Sequence, residues 1–282
     1  MTSCFHWRKI NKRNVVNAEK LLQERELWCV AACGKYLLKR RSKDAVWALC
    51  GGDDNIHALI VYSNRNLLPV LCGCENIPKP EFIKKIFGTL PVHSVQGLCD
   101  EVIFLEKYLT KCGLKAFEKF NYNLMHIESL PDNSGFSAGP AGLILREAQY
   151  SDLDALAVLQ AGYEQEEVLP QGAIFNPAAS RLNMEKIFVN EQLLVAEIGG
   201  RLVGKINTSA MSWTRFQVGG VYVLPGFRGM GIARRMTAEF VRILIGQGRG
   251  VSLFVKKSNP AAISVYHHLG FKFLADYRIS YY

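Results

Sequence analysis

The chain has 282 residues, of which 49% are apolar and 21% are charged, so it is long enough for two domains and can bury a substantial core. No stretch approaches the ~20 apolar residues that a membrane span needs, and no signal-peptide core follows the first charges, so we expect a cytoplasmic protein without a membrane partner. The net charge of +9 is spread along the chain, and its densest run, residues 39–43, is short. This favours a solvated helix end over a nucleic-acid surface.

All eight cysteines lie before residue 141. The closest pairs, Cys29 with Cys33 and Cys72 with Cys74, do not have the spacing of zinc ribbons. In a chain of this size without a signal peptide, reduced thiols that pack as small apolar residues are the expected state. We therefore expect no metal site, and the change in cysteine usage near residue 140 indicates a domain boundary.

The pattern of residues 1–130 predicts an α+β domain. Helical periodicity covers residues 15–41, and β-branched runs separated by Gly- and Asn-containing turns predict a meander of three strands. In chain order, the predicted elements are a helix at 15–41, strands at 45–50, 56–62 and 67–72, a helix at 80–87, a strand at 92–95, a helix at 99–111 and a strand at 121–128.

Residues 131–142 are rich in Pro, Gly and Ser and predict a linker to a second domain at 143–282. Its predicted elements are a strand at 143–147, a helix capped by Ser151, a helix begun by Asn176 and Pro177, a hairpin of 193–198 with 201–209, a strand at 217–223, a helix at 231–245, a strand at 251–255, a helix at 260–269 and a strand at 271–279. The fold class expected for the chain is α/β, with an α+β mixed sheet.

A strand, a glycine-rich loop and a helix follow one another at residues 217–245. Pro225 ends the strand, and Gly229 and Gly231 allow the backbone to approach a ligand closely. The first N–H groups of the helix have no intrahelical partners and favour a phosphate or pyrophosphate. The loop is not a P-loop, because no Gly-Lys-Ser/Thr follows, and it lacks the third glycine of the dinucleotide fingerprint.

The motif Val223-x-Pro225-x-x-Arg228-x-x-Gly231-x-Ala233 resembles the acyl-CoA-binding motif of the GNAT N-acetyltransferase superfamily, without departure. A second matching block at 259–271 contains Asn259, Tyr266 and a Leu-Gly-Phe sequence. The resemblance rests on motifs within 143–282 and on topology alone in the first half. The arrangement as a whole resembles bacterial GNAT proteins that carry an extra N-terminal domain.

This resemblance implies a GNAT acyl-CoA N-acyltransferase fold for 143–282. It implies that residues 1–130 form a degenerate GNAT-like domain that binds no CoA, because the phosphate-binding motif is absent before residue 140, and that acts as a wall or lid for the acceptor site. An unrelated α+β cap is the alternative.

The resemblance also implies acetyl-CoA as co-substrate. The phosphate loop would hold the pyrophosphate, the strand before it would pair with the pantetheine arm, and a backbone N–H near Val223 would donate to the thioester carbonyl. The implied cofactor-binding residues are Val221, Tyr222, Val223, Arg228, Gly229, Met230, Gly231, Ile232, Ala233, Asn259 and Tyr266.

Tyr266 is the candidate general acid for the leaving thiolate, and packing of the last helix is the alternative role for its ring. Many GNAT enzymes place a general base near the start of the motif strand, but residues 214–218 contain no carboxylate. Glu164, Glu166 and Glu167 form an acidic cluster on the early helical region, where one of them would orient or deprotonate the amine. Glu164 and Glu167 are the candidate bases; a solvated acidic face is the alternative. His267 and His268 are expected to be exposed or to pack.

The predicted function is transfer of an acetyl group from acetyl-CoA to a primary amine of a small-molecule or amino-acid-like acceptor by direct attack, in a monomer or homodimer. Acetylation of a protein or peptide amine is an alternative. A non-catalytic CoA-binding regulatory protein is another, although the intact motifs argue against it.

Overall fold

The computed structural model describes residues 5–38, 44–51, 55–72, 86, 90–131 and 139–282. The chain forms two compact units, one of residues 1–124 with 274–282 and the other of residues 125–273. The predicted domain boundary at 131–142 stays a prediction, while the last strand belongs to the first unit by its contacts. The charged run at 39–43, residues 132–138 of the linker, Cys4 and Cys74 lie outside the described residues.

The helices of the described residues include three in the first unit and four in the second. They are α1 (Val15–Glu24), α2 (Val30–Leu37), α3 (Cys99–Lys111), α4 (Leu153–Tyr163), α5 (Pro177–Asn190), α6 (Ile232–Ile245) and α7 (Pro260–His268). In the described ranges, no helix is long and apolar enough to cross a membrane.

Strands occur in both units. They are β1 (His6–Lys9), β2 (Ala45–Cys50), β3 (Ile56–Ser63), β4 (Asn66–Val70), β5 (Ser94–Leu98), β6 (Glu118–Ile127), β7 (Leu143–Glu147), β8 (Leu193–Ile198), β9 (Arg201–Met211), β10 (Arg215–Val223), β11 (Gly250–Lys256) and β12 (Lys272–Tyr281).

In the first unit, β1 to β4 form an antiparallel meander. The short turns between the apolar runs predict β2 to β4, whereas β1 was not predicted from the sequence. β5 pairs parallel with β4, and the last strand, β12, pairs antiparallel with β5. The core contains aromatic and aliphatic side chains from the meander and from α3, such as Trp47, Tyr62 and Leu105.

The single helix predicted at 15–41 is wrong: the chain forms α1, a 3₁₀ turn at Glu26–Trp28 and then α2. Arg25 and Cys29 leave helical geometry, and the guanidinium of Arg25 stacks on the Trp28 ring at 4.9 Å. The break allows Leu22 and Cys33 to be buried together, with the Cys33 thiol donating to the Leu22 carbonyl. The strand predicted at 92–95 is shifted to β5, and the helix predicted at 80–87 lies outside the described residues except for Ile86.

In the second unit the strand order is β11-β10-β9-β8-β7. β7 to β10 pair antiparallel, and β11 pairs parallel with β10. Because successive strand side chains point to opposite faces, Leu194 packs with α6 on one face, whereas Val195 packs with α4 and α5 on the other. The predicted bounds of β7 to β11, α6 and α7 agree with the structure within two residues.

The start of α4 differs from the prediction that Ser151 caps it. A 3₁₀ turn at Tyr150–Asp152 precedes the helix, and Gln149 and Asp152 form a reciprocal capping box. Asp152 is drawn to this position because it accepts two hydrogen bonds from the Arg146 guanidinium, at 2.7 and 3.0 Å, and one from the Gln149 N–H at 2.7 Å. Arg146 also donates to Glu197 at 2.9 Å, so the network joins α4 to β7 and β8.

We predict that Asp152→Asn lowers the free energy of unfolding at pH 7 by about 1.5–3 kcal/mol, because hydrogen bonds to charged groups contribute that much. The hydrogen bonds from Arg146 lower the pKa of Asp152 below its usual range. A depressed carboxyl pKa stabilises the fold above the unfolded-state value of about 3.9, and this stabilisation is lost as the pH falls through the folded-state value. Urea unfolding should therefore show wild type and variant converging in acid.

Asp154→Asn is the matched control for this prediction. Asp154 lies two residues further along, pairs with Arg181 and has 87% of its side chain exposed. Its replacement should change the free energy of unfolding by no more than about 0.5 kcal/mol. Equal losses in the two variants would contradict the role assigned to the Arg146–Asp152 pair.

Candidate active site

The site is organised by β10, which is paired with β11 over only part of its length. Parallel pairing runs from Arg215 with Gly250 to Val218 with Leu253, and in the described part of the chain it goes no further. Yet β10 continues to Val223 and β11 to Lys256. The two strands therefore separate, and the backbone of β10 beyond Val218 is open on this edge to an extended ligand.

A bulge lies in the same part of β10. The register of β10 against β9 shifts between Gly219 and Tyr222, and Gly220 has a φ of +60°. The left-handed backbone at Gly220 disfavours other residues, because a Cβ atom there would collide with Asn207 Oδ1. The bulge re-aims the backbone at the place where the strands part.

The predicted phosphate loop follows β10 directly. A 3₁₀ turn at Pro225–Phe227 leads to Gly229 and Gly231, whose φ angles are +78° and +77°, and α6 begins at Ile232. An added Cβ at either glycine would meet nothing within 4 Å, so both face open space. The first N–H groups of α6 lack intrahelical partners, and this geometry suits a pyrophosphate.

Arg228 does not extend freely into the loop. Its Nη2 pairs with Glu166 Oε2 at 2.7 Å and its Nε donates to the Val223 carbonyl at 2.9 Å, while the guanidinium stacks on the Tyr222 ring at 5.3 Å. The Tyr222 hydroxyl donates to the same Glu166 at 2.8 Å. The side chain of Arg228 therefore ties the phosphate loop to the acidic cluster, and its expected contact with pyrophosphate stays a prediction.

The acidic cluster lies on a π-helical turn, Glu164–Val168, that extends α4. Such turns are rare and occur frequently at functional sites. Glu164 accepts from Gln160 at 2.8 Å and from Asn183 at 2.7 Å. Glu167 accepts from Asn259 Nδ2 at 3.3 Å. The three carboxylates thus face different partners, and the cluster is not a uniformly solvated surface.

Asn259 and Tyr266 come from the second motif block. Asn259 caps α7, with its Oδ1 accepting from the Ala262 N–H at 3.0 Å and its Nδ2 directed at Glu167. Tyr266 is buried, and its ring packs edge-on against Phe271 at 5.7 Å. Burial, followed by the charges of Tyr163 and Glu167, raises the pKa of Tyr266 well above its usual value, so the hydroxyl stays protonated at neutral pH.

Several predicted features remain outside this constellation. His267 and His268 are exposed on α7, and His268 Nδ1 bonds the Ser264 carbonyl. In place of a carboxylate, the start of β10 carries the buried Gln217, which donates to Ser209 at 3.1 Å.

The cysteine pair on α2 and its N-terminal flank is not built as a reactive site. Cys29 and Cys33 have their sulfur atoms 3.7 Å apart. The hydrogen bond with Cys33 and burial raise the pKa of the Cys29 thiol, which disfavours the thiolate. Within the described ranges, no group of three or more His, Cys, Asp or Glu side chains could hold a metal.

Lys205 and Asn207 were not identified as site residues from the sequence, and Glu166 was placed in the acidic cluster without its contacts with Tyr222 and Arg228. Glu166 joins Tyr222 and Arg228, while Lys205 and Asn207 lie buried beneath the bulge. A signal existed for Lys205, since this lysine interrupts the otherwise apolar run at 202–206. For Glu166, the π turn that turns its carboxylate toward β10 has no distinctive sequence signal.

Comparison with known proteins supports this arrangement. Residues 161–271 match the model of the acetyltransferase (GNAT) family. The matched range begins near the end of α4, contains the open strand pair, the glycine loop and α7, and ends before β12. A comparison with curated proteins finds no significant match.

Solved structures share the fold over nearly the whole chain. A GCN5-related N-acetyltransferase from Sphaerobacter thermophilus is 18% identical, with 98% of this chain and 94% of that chain covered and a TM-score of 0.61. A tandem GNAT protein from the clavulanic acid biosynthesis pathway is 12% identical, with 98% of both chains covered and a TM-score of 0.60.

A Drosophila protein is 10% identical, with 98% of both chains covered and a TM-score of 0.68. Identities this low show the fold alone, but the coverage extends through both units. Residues 161–271 therefore form a domain of the GNAT acetyltransferase family.

Proposed function

We propose that the chain is an acetyl-CoA-dependent N-acetyltransferase that acts on a primary amine of a small-molecule or amino-acid-like acceptor. The observation that carries the proposal is the separation of β10 from β11 beyond Val218, directly before the glycine loop at the start of α6. The open strand edge suits a pantetheine arm and the loop suits a pyrophosphate. The two features follow one another in the order in which these groups occur along CoA.

Each step of the transfer has a candidate residue. Acetyl-CoA supplies the thioester, and a backbone N–H near Val223 would polarise its carbonyl. Glu167 or Glu164 would take the proton that the amine loses as the new C–N bond forms. Tyr266, kept protonated by its burial, would donate a proton to the departing thiolate.

The surroundings favour a cationic acceptor. Three carboxylates lie on the π turn, and Glu166 keeps 41% of its side chain exposed despite its pairing with Arg228. An ammonium group would be attracted to this turn before it loses a proton. An amine-library screen that follows the release of CoA thiol tests the reaction. No release with any amine would indicate a non-catalytic role, and release that does not depend on the amine would indicate hydrolysis.

We predict that acetyl-CoA at about 100 times its dissociation constant stabilises the chain by ~2.7 kcal/mol, and that Gly231→Asp removes this effect. The variant places a side chain at a φ of +77° and a negative charge in the open space where the pyrophosphate is expected. Thermal unfolding with and without acetyl-CoA measures the effect.

Gly248→Asp is the matched control for this variant. Gly248 has a φ of +75°, also has open space around it, and lies beyond the opposite end of α6. It therefore carries the same strain and the same added charge away from the loop, and the stabilisation by acetyl-CoA should persist. Loss of the stabilisation in both variants, or in neither, would refute the phosphate loop.

We further predict that Tyr266→Phe lowers turnover by about 10²–10⁴-fold, the usual range for general acid catalysis, while the affinity for acetyl-CoA changes little. The ring and its contact with Phe271 remain, so only the proton donor is removed. Tyr277→Phe removes the same atom from another buried tyrosine, in the first unit, and should leave turnover unchanged. Wild-type turnover in Tyr266→Phe would exclude the proposed general acid.

A further inference from the structure

Lys205 is a fully buried lysine that the proposed mechanism does not use. It lies in β9 directly opposite Tyr222 of β10, so both side chains point to the sheet face that α4 covers. Burying an ammonium group is costly unless hydrogen bonds and charges compensate for the lost water. Its presence in the middle of the candidate site therefore requires an explanation.

The ammonium group has two hydrogen-bond acceptors and one aromatic ring beside it. Nζ donates to Asn207 Oδ1 at 2.9 Å and to the Gly220 carbonyl at 3.0 Å, and it lies 5.1 Å from the centroid of the Tyr163 ring. Burial lowers the pKa of Lys205 to about 7, and the negative charge of Glu164 opposes this shift.

Gly220, which receives one of these hydrogen bonds, is the centre of the β10 bulge. The register shift between Gly219 and Tyr222 interrupts the regular ladder, and Lys205 supplies a donor to a backbone carbonyl within it. Asn207 fixes the lysine from the other side, and its own Nδ2 donates to the Thr208 carbonyl at 2.7 Å. Two neighbouring side chains of β9 thus hold the bulge in one geometry.

We propose that Lys205 is a positioning residue that holds the β10 bulge so that the backbone beyond it can polarise the acetyl thioester. The inference rests on the proposed function. It goes further by assigning to a residue outside the motifs an effect on the rate of transfer, separate from the affinity for acetyl-CoA. Lys205 touches neither the glycine loop nor α6 in its contacts with Asn207, Gly220 and Tyr163, so the pyrophosphate site should form without it.

The test uses the full chain, Lys205→Met and [1-¹³C]acetyl-CoA. Methionine keeps an unbranched apolar side chain but has no donor for the Gly220 carbonyl. Binding to wild type should move the ¹³C resonance of the thioester carbonyl, as hydrogen bonding does. In the variant we expect at least half of that change to be lost, with the dissociation constant altered by less than threefold. Turnover with any amine accepted by wild type should fall by about 10²-fold, the scale of a small misplacement of reacting groups.

Lys186→Met is the control. Lys186 lies exposed on α5, so the same chemical change is made away from the bulge, and the carbonyl resonance should match that of wild type. Gly220→Ala approaches the bulge from the other strand, because its Cβ would collide with Asn207, and should reproduce the loss seen in Lys205→Met.

The outcomes separate the two proposals. If wild type does not bind acetyl-CoA, the proposed function fails. If wild type binds it and both the carbonyl resonance and turnover are unchanged in Lys205→Met, the positioning role is overturned while the proposed function stands.

A measurement on wild type needs no variant. The groups that face Lys205 are Tyr163 and Glu164 from α4 and its π-helical extension, and Tyr222 from β10. In ¹³C-lysine-labelled protein, the Cε resonance that titrates near pH 7 should stand apart from those of ordinary lysines. Acetyl-CoA should shift its midpoint, and an unmoved midpoint would contradict coupling between Lys205 and the thioester site.

Discussion

The early end of β10–β11 pairing is the constraint on which the rest of the site depends. A regular parallel pair would satisfy every backbone group between the two strands and leave no room for a ligand. Here pairing stops at Val218 with Leu253, and the bulge around Gly220 turns the following backbone away from the regular ladder. The neighbouring elements add to the open edge: the glycine loop would provide the proposed anion site, and α7 carries Asn259 and Tyr266.

The π turn after α4 connects this open edge to the side on which the proposed acceptor would bind. One carboxylate, Glu166, contacts both Tyr222 of β10 and Arg228 of the phosphate loop, while Glu167 contacts Asn259 of α7. The Arg228–Glu166 pair is about half exposed, so by itself it adds little stability. Its role is to set geometry: Glu166 holds both the phosphate loop and β10 against the π turn, and this turn is the segment that would meet the amine.

Much of this arrangement could be predicted from the sequence, because it depends on local rules. Glycines at positive φ, proline at the first turn of a helix and β-branched runs placed β10, α6 and α7 within two residues. The predictions that failed concern features that depend on contacts between residues distant in the sequence. The break between α1 and α2 depends on joint burial of Leu22 and Cys33, and the capping of α4 by Gln149 and Asp152 depends on Arg146, which only the folded sheet brings near. The assignment of Arg228 to Glu166 likewise joins residues 62 positions apart.

The burial of Lys205 lowers the stability of the fold, although its hydrogen bonds hold the β10 bulge in place. Its pKa of about 7 in the folded chain lies below the unfolded value of about 10.4, so between these values the unfolded chain binds more protons. The unfolding free energy associated with this group therefore rises with pH across that interval, and the cost of burying the charge is complete below about pH 7. An apolar residue would avoid this cost, but it would leave the Gly220 carbonyl and Asn207 without the donor that holds them. Retaining a lysine there is reasonable if the shape of the bulge matters more than the stability that the charge removes.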